Sequence, residues 1–234
     1  MNAGHAVLLA GATGLVGSRV LSRWLDDADG PVVIAPVRRP LARTHPRLRA
    51  LVGHWEAADI AAAVATSGVP LAAYACCLGT TLRQAGSREA FLAVDRDLVL
   101  ALAATARELG ARQALLVSSV GASAQSGNFY LRVKGEAERG LVALGFERVD
   151  CLRPGLLLGE RSERRRAEAW GQRLMPLANP LLAGPLRRYR AISADVVAGA
   201  LVALAGRDAP GRFVHEHDAM SQVHFPPASD RQAG

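Results

Sequence analysis

Short unbroken apolar runs alternate along the chain with longer segments whose apolar residues recur every three or four positions. This rhythm predicts buried parallel strands separated by amphipathic helices. The runs are Ala6 to Ala10, Val32 to Val37, a weak third at Leu48 to Val52, Leu71 to Leu78, Ala114 to Val117, Arg148 to Leu152 and a last one at Arg212 to His215. Helical spacing appears at Val16, Val20 and Trp24, in the alanine-rich Asp59 to Thr66, from about Glu89 to Leu109, through Tyr130 and Lys134 to about Leu144, and from Val196 to Leu204 behind a Ser193 cap. Gly110 and Gly145 are placed to end two of these helices. Arg83 to Arg88 reads as a polar loop. Strand and helix in strict alternation predict an α/β fold: a Rossmann-like, doubly wound parallel sheet with helices on both faces.

The first strand runs straight into Gly11, Ala12, Thr13, Gly14, Leu15, Val16 and Gly17 and then into a helix. Strand, glycine turn and helix in this order form a dinucleotide-binding context. Gly11 allows the sharp turn, Gly14 the approach of a pyrophosphate and Gly17 close packing of helix on strand. The helix N-terminus then offers N–H groups and a positive dipole end to the phosphates. The second strand ends in Arg38 and Arg39, where an NAD site would carry Asp or Glu for the ribose 2′-hydroxyl. Two guanidiniums suit a 2′-phosphate, so the expected cofactor is NADP(H). The alternative is that both belong to a solvated basic loop with Arg43, Arg47 and Arg49. Gly79 and Thr80 follow the fourth strand, beyond the reversal of strand order, and border the same crevice.

Tyr130 and Lys134 stand four apart on one helical face, just after Ser118 and Ser119 at the end of the fifth strand. A nearby ammonium favours a phenolate and so tunes a tyrosine towards general-acid work. The chain holds 28 basic residues, and Lys134 is the only lysine among them. A compact ammonium can reach a ribose hydroxyl and a phenol together.

Composition changes this picture little. No apolar run is long enough to span a membrane, and the apolar stretch from Ala6 to Ala12 has no basic lead and runs straight into glycines, so the expected location is cytoplasmic. Cys76, Cys77 and Cys151 offer neither a disulfide framework nor metal spacing. The net charge of +7 suits anionic ligands, yet with 5% aromatic residues and no recognition module nucleic acid is not expected. His215 and His217 would share one strand face but lack a third ligand, so no metal is expected.

After Gly159 the rhythm breaks. Glu160 to Glu168 is densely charged, and Trp170 to Leu186 is apolar but interrupted by Pro176, Pro180 and Pro185. The division expected is one domain over 1–217, with a substrate or lid region at 159–190, and a polar, disordered tail over 218–234. The apolar segment can line a substrate pocket, cover it, or meet a protein partner or a second copy of the chain.

With these residues placed, the chain resembles an atypical short-chain dehydrogenase/reductase, from roughly Val7 to Ala205. Five blocks, CCLGTT (76–81), AVDRDLVL (93–100), LVSSVGAS (116–123), NFYLRVKGEAE (128–138) and CLRPGLLLGER (151–161), are similar to the HIV Tat-interacting protein family. The resemblance implies an NADPH-binding fold and a carbonyl substrate: Ser119, ahead of Ser118, polarises the carbonyl, Tyr130 donates the proton and Lys134 holds the nicotinamide ribose. It also brings Leu78 and Pro154 to the cofactor. Asp95 stands where the wider superfamily often has an asparagine, and Gly53 and His54 where an acidic residue often meets adenine. The leading expectation is an NADPH-dependent carbonyl reductase. The rival is an NADPH-binding regulatory protein, and a sugar-nucleotide epimerase or dehydratase would need a larger substrate region than the segment after Val149 supplies.

Overall fold

The computed structural model describes residues 4–53, 55–158 and 184–223. Seven parallel strands form one sheet: β1 (Ala6–Ala10), β2 (Val32–Val37), β3 (Leu48–Val52), β4 (Leu71–Cys76), β5 (Gln113–Val117), β6 (Arg148–Leu152) and β9 (Gly211–His215). Their order is β3-β2-β1-β4-β5-β6-β9, so the winding reverses between β1 and β4. β7 (Leu157–Leu158) and β8 (Ile192–Ser193) make a separate two-stranded pair. Along β1 the side chains divide between two cores: Val7 and Leu9 face Trp24, Val197 and Leu201, whereas Ala6, Leu8 and Ala10 face Ile60, Leu102 and Leu141. Burial on both faces explains why the strand reads as a continuous apolar run.

Helix α1 (Gly17–Asp26) follows the glycine turn, and α2 (Ala57–Ser67) is held by a Glu56/Asp59 capping box and a left-handed Gly68. The segment expected as a polar loop at Arg83 to Arg88 instead contains a short helix, α3 (Leu82–Ala85). Thr81 accepts from Gln84 N at its start and Gly86, at φ 83°, closes it, so the caps do what the apolar pattern does not. The long helix expected from Glu89 is α4 (Arg88–Leu92), a π-helical turn (Ala93–Leu98) and α5 (Val99–Glu108) in unbroken succession. Helix α6 (Phe129–Ala143) is capped by Asn128 and α7 (Ala194–Leu204) by Ser193. β4 stops at Cys76, two residues before the expected end, because the backbone turns at Cys77 against the glycine loop.

Two further expectations are corrected. His217 does not share a strand with His215; it opens α8 (His217–Gln222), whose Met220 is fully buried, where a disordered tail was expected from Asp218. The charged 160–168 segment, most of the apolar 170–186 segment and the chain after Val223 lie outside the described residues. Among the described residues, no helix is long and apolar enough to cross a membrane.

The far edge of the sheet is tied by one buried carboxylate. Asp150 on β6 accepts from Gln113 Nε2 at 2.8 Å and from Arg148 Nε at 2.7 Å, and meets His215 Nε2 at 2.9 Å. Gln113 also bonds Leu204 O and Gly206 N, so β5, β6, β9 and the end of α7 share one network. Burial alone would push the Asp150 carboxyl up, but the bonds from His215, Arg148 and Gln113 outweigh it and hold it below the ordinary value. A depressed carboxyl stabilises the fold above its unfolded pKa, and that contribution is lost as pH falls through the folded value. Asp150→Asn should therefore cost about 3 kcal/mol at neutral pH, measured by urea unfolding, with the gap to the natural protein closing as pH drops below about 4.

Candidate functional site

The reversal of strand order opens a crevice at the carboxyl ends of β1 and β4. Gly11 sits there at φ 81°, and a Cβ on it would lie 2.6 Å from the Cys77 carbonyl carbon. A Cβ on Gly17 would lie 2.1 Å from Gly11 O, so the turn admits no side chain at either end. Gly14 closes the turn through a 2.9 Å bond from its N–H to Gly11 O. The amides of Thr13, Leu15 and Val16 make no backbone hydrogen bond among the described residues, and α1 has no side-chain cap and no acidic residue in its first turn. Unused amides at an uncapped helix start fit the pyrophosphate of a dinucleotide.

Arg38 and Arg39 are exposed where β2 ends. Their neighbours in the basic loop have structural partners. Arg43 pairs with Asp26 at 2.6 Å, Arg47 caps the carboxyl end of α1 through the carbonyls of Trp24, Leu25, Asp27 and Gly30, and Arg49 bonds Pro46 O. Arg38 and Arg39 make no ion pair among the described residues. Gly53 is left-handed at φ 99° and its N–H donates to Val37 O; His54 lies outside the described residues.

At the other end of the crevice, Lys134 is buried with Asp95. Its Nζ lies 2.7 Å from Asp95 Oδ1, with side chains 5% and 0% exposed. The contact is an ion pair without hydrogen-bond alignment, since Oδ1 has no donor in line. Asp95 Oδ2 accepts from Thr80 N at 2.9 Å, which ties the carboxylate to the loop after β4. The π-helical turn, a distortion common at functional sites, carries Asp95. Burial works against the Lys134 ammonium, but the charges of Asp95 and Tyr130 outweigh it, and its pKa stands above the ordinary value. Gly79 leaves this corner open: a Cβ there would come within 3.6 Å of Nζ. Tyr130, half-buried one turn before Lys134, packs its ring against the buried Phe91 of α4 at 5.7 Å between centroids.

The two serines divide cleanly. Ser118 is buried and donates to Glu138 Oε1 at 2.6 Å, whereas Ser119 is half-buried, its hydroxyl within only a long 3.5 Å contact of Val120 O. Glu138, wholly buried on α6, also receives Arg153 through two bonds of 2.9 and 2.5 Å and Arg212 at 3.2 Å. The Val120 N–H donates to Pro154 O at 3.0 Å, which sets the Arg153, Pro154, Gly155 turn beside Ser119. Glu138 continues the four-residue spacing of Tyr130 and Lys134, the one signal in the sequence that marks it. A further close contact packs α6 on the serine loop, since a Cβ on Gly135 would lie 2.2 Å from the Ser123 backbone. The three cysteines are free and burial pushes their thiols up, Cys151 to about 12. Among the described residues no His, Cys, Asp and Glu gather as a metal site.

The family model of the NAD dependent epimerase/dehydratase family matches residues 7–134. Among curated proteins, the chain is 38% identical over 159 residues to Protein FMP52, mitochondrial, of Eremothecium gossypii, covering 68% of this chain and 69% of that one. It is 37% identical over 218 residues to Protein fmp52, mitochondrial, of Aspergillus fumigatus, covering 88% and 91%. Solved structures share the fold at low identity. UDP-N-acetylglucosamine 4-epimerase from Bacillus cereus has a TM-score of 0.66 at 15% identity, covering 91% of this chain and 79% of that one. Human epimerase family protein SDR39U1 with NADPH has 0.59 at 19%, covering 90% and 74%. The cytoplasmic location expected from the sequence is overturned by these relatives, which are named mitochondrial.

Replacing Glu138 by Gln leaves the half-buried Arg153 beside a neutral amide and loosens Ser118. The variant should lose about 3–5 kcal/mol in urea unfolding at neutral pH.

Proposed function

The chain belongs to the NAD dependent epimerase/dehydratase family, and from that premise we propose that it is an NADPH-dependent reductase of a small carbonyl compound. The observation that carries the reading is the single lysine, buried at the carboxyl end of β4 one helical turn from Tyr130, with Asp95 as its one hydrogen-bonding or ionic partner among the described residues. An ammonium has three donors, so Lys134 keeps donors for a ligand in the crevice.

A dihydronicotinamide held in this crevice would supply the hydride that the carbonyl carbon accepts. Ser119, its hydroxyl uncommitted, donates a hydrogen bond to the carbonyl oxygen and polarises it. Tyr130 transfers its phenolic proton to that oxygen as charge develops there, giving an alcohol, and recovers a proton from solvent. Lys134 orients the nicotinamide ribose and steadies the phenol, while the amides of Thr13, Leu15 and Val16 with Gly11, Gly14 and Gly17 receive the pyrophosphate. Leu78, Gly79, Thr80 and Pro154 line the crevice around the nicotinamide half. Arg38 and Arg39, free of the structural duties of their neighbours, take the 2′-phosphate.

The test is oxidation of NADPH over a panel of aldehydes, ketones and quinones. Tyr130→Phe should bind NADPH as tightly as the natural protein and lose turnover by about a hundredfold or more. Binding of NADPH without consumption by the natural protein across the panel would move the assignment to a cofactor-binding regulatory protein.

Replacing Arg38 and Arg39 together by Ser should weaken NADPH binding by roughly tenfold to a hundredfold and leave NADH binding nearly unchanged, as read by fluorescence titration. Equal weakening of both cofactors would contradict the 2′-phosphate role.

A further inference from the structure

Asp95 is the one charged group that reaches Lys134 from outside helix α6. From α6 itself Tyr130 faces it, from β4 the Cys76 thiol, and from the loop after β4 the backbone of Gly79 and Thr80. The carboxylate is fixed from two sides: Thr80 N holds Oδ2, and the π-helical turn directs the residue inward to full burial. Lys134 is thus gripped by a carboxylate that cannot swing away.

We propose that Asp95 is a positioning residue that acts through Lys134: it pins the ammonium at the carboxyl end of β4 and offsets its charge beside Tyr130. The inference rests on the reductase reading for its meaning, but the contact itself can be tested without turnover. A buried ammonium stripped of its counter-charge has its charged form disfavoured by desolvation, and until it deprotonates it draws the neighbouring phenol towards its anion. Both effects vanish when a carboxylate stands 2.7 Å away. Burial alone lowers the Lys134 pKa, and the Asp95 charge is the largest influence restoring it.

The chain offers an unusual readout, because a lysine-specific label reports one side chain only. With lysine labelled by 15N at Nζ, the full-length protein without cofactor should give one side-chain resonance, whose titration reports Lys134 directly. In Asp95→Asn its midpoint should fall by about one pH unit or more, whereas Asp95→Glu, which keeps the charge, should stay within about half a unit of the natural protein. With a carbonyl that the natural protein reduces, the alkaline loss of kcat in Asp95→Asn should begin at lower pH, because the uncompensated ammonium favours loss of the Tyr130 proton.

A Lys134 midpoint in Asp95→Asn equal to that of the natural protein overturns the inference, as does a Glu variant that falls as far as Asn. If Asp95→Asn does not fold, as judged by circular dichroism, Asp95→Ser, which also removes the charge, takes its place on the same criteria. The two readings fail separately. No turnover of any carbonyl removes the reductase assignment and leaves the Lys134 titration intact, whereas an unshifted titration removes the role of Asp95 even in an active enzyme.

Discussion

A lysine placed out of water needs a counter-charge, and much of the local architecture follows from supplying one to Lys134. Helix α6 can carry the residue inward only if an acidic group waits there. The helix facing it, a regular one on either side, widens into a π-helical turn where Asp95 enters. The carboxylate in turn needs a donor for its second oxygen, and the Thr80 amide provides it, which fixes the loop after β4. Gly79 stays without a side chain beside Nζ. One ion pair therefore links the loop after β4, the π-helical turn and α6 at one end of the crevice.

A second buried carboxylate, Glu138, sets the rotation of the same helix. It lies one turn beyond Lys134 and gathers Ser118, Arg153 and Arg212, so it joins α6 to the ends of β5 and β6 and to edge strand β9. Consecutive residues leaving a strand point to opposite sides. Once Ser118 is drawn back to Glu138, Ser119 is turned the other way with its hydroxyl unspent. The difference between the two serines is made by a residue twenty positions further along the chain.

That distance explains what the sequence could and could not disclose. The seven strands, their parallel order and the glycine turn were legible because each rests on local pattern: apolar runs such as Ala6 to Ala10, and glycines placed between a strand and a helix. Tyr130 and Lys134 were legible because their spacing is helical and the lysine is unique. The π-helical turn left no trace in AVDRDL, since it adds one residue to a helix without changing its composition. Helix α3 was hidden because two caps, and not an apolar stripe, define it. Met220, a single buried apolar residue among polar neighbours, disguised α8 as a tail. Asp95 read as a departure from a motif, and its pairing with Lys134 depends on a tertiary approach that spacing does not encode.

The contrast between Lys134 and the arginines around it is the last step. Arg47, Arg148 and Arg153 each use a planar fork to bind several acceptors at once: helix-end carbonyls for Arg47, one carboxylate for each of the others. These are stapling tasks, and a guanidinium suits them because its donors spread in a fixed plane. The site beside Gly79 holds something else: a compact charge that contacts one oxygen of one carboxylate. A guanidinium could satisfy both oxygens of Asp95 in a bidentate pair, which would compete with the Thr80 amide for Oδ2. Among its arginines the chain thus keeps its single lysine where the second oxygen of the partner carboxylate is already committed to a backbone amide.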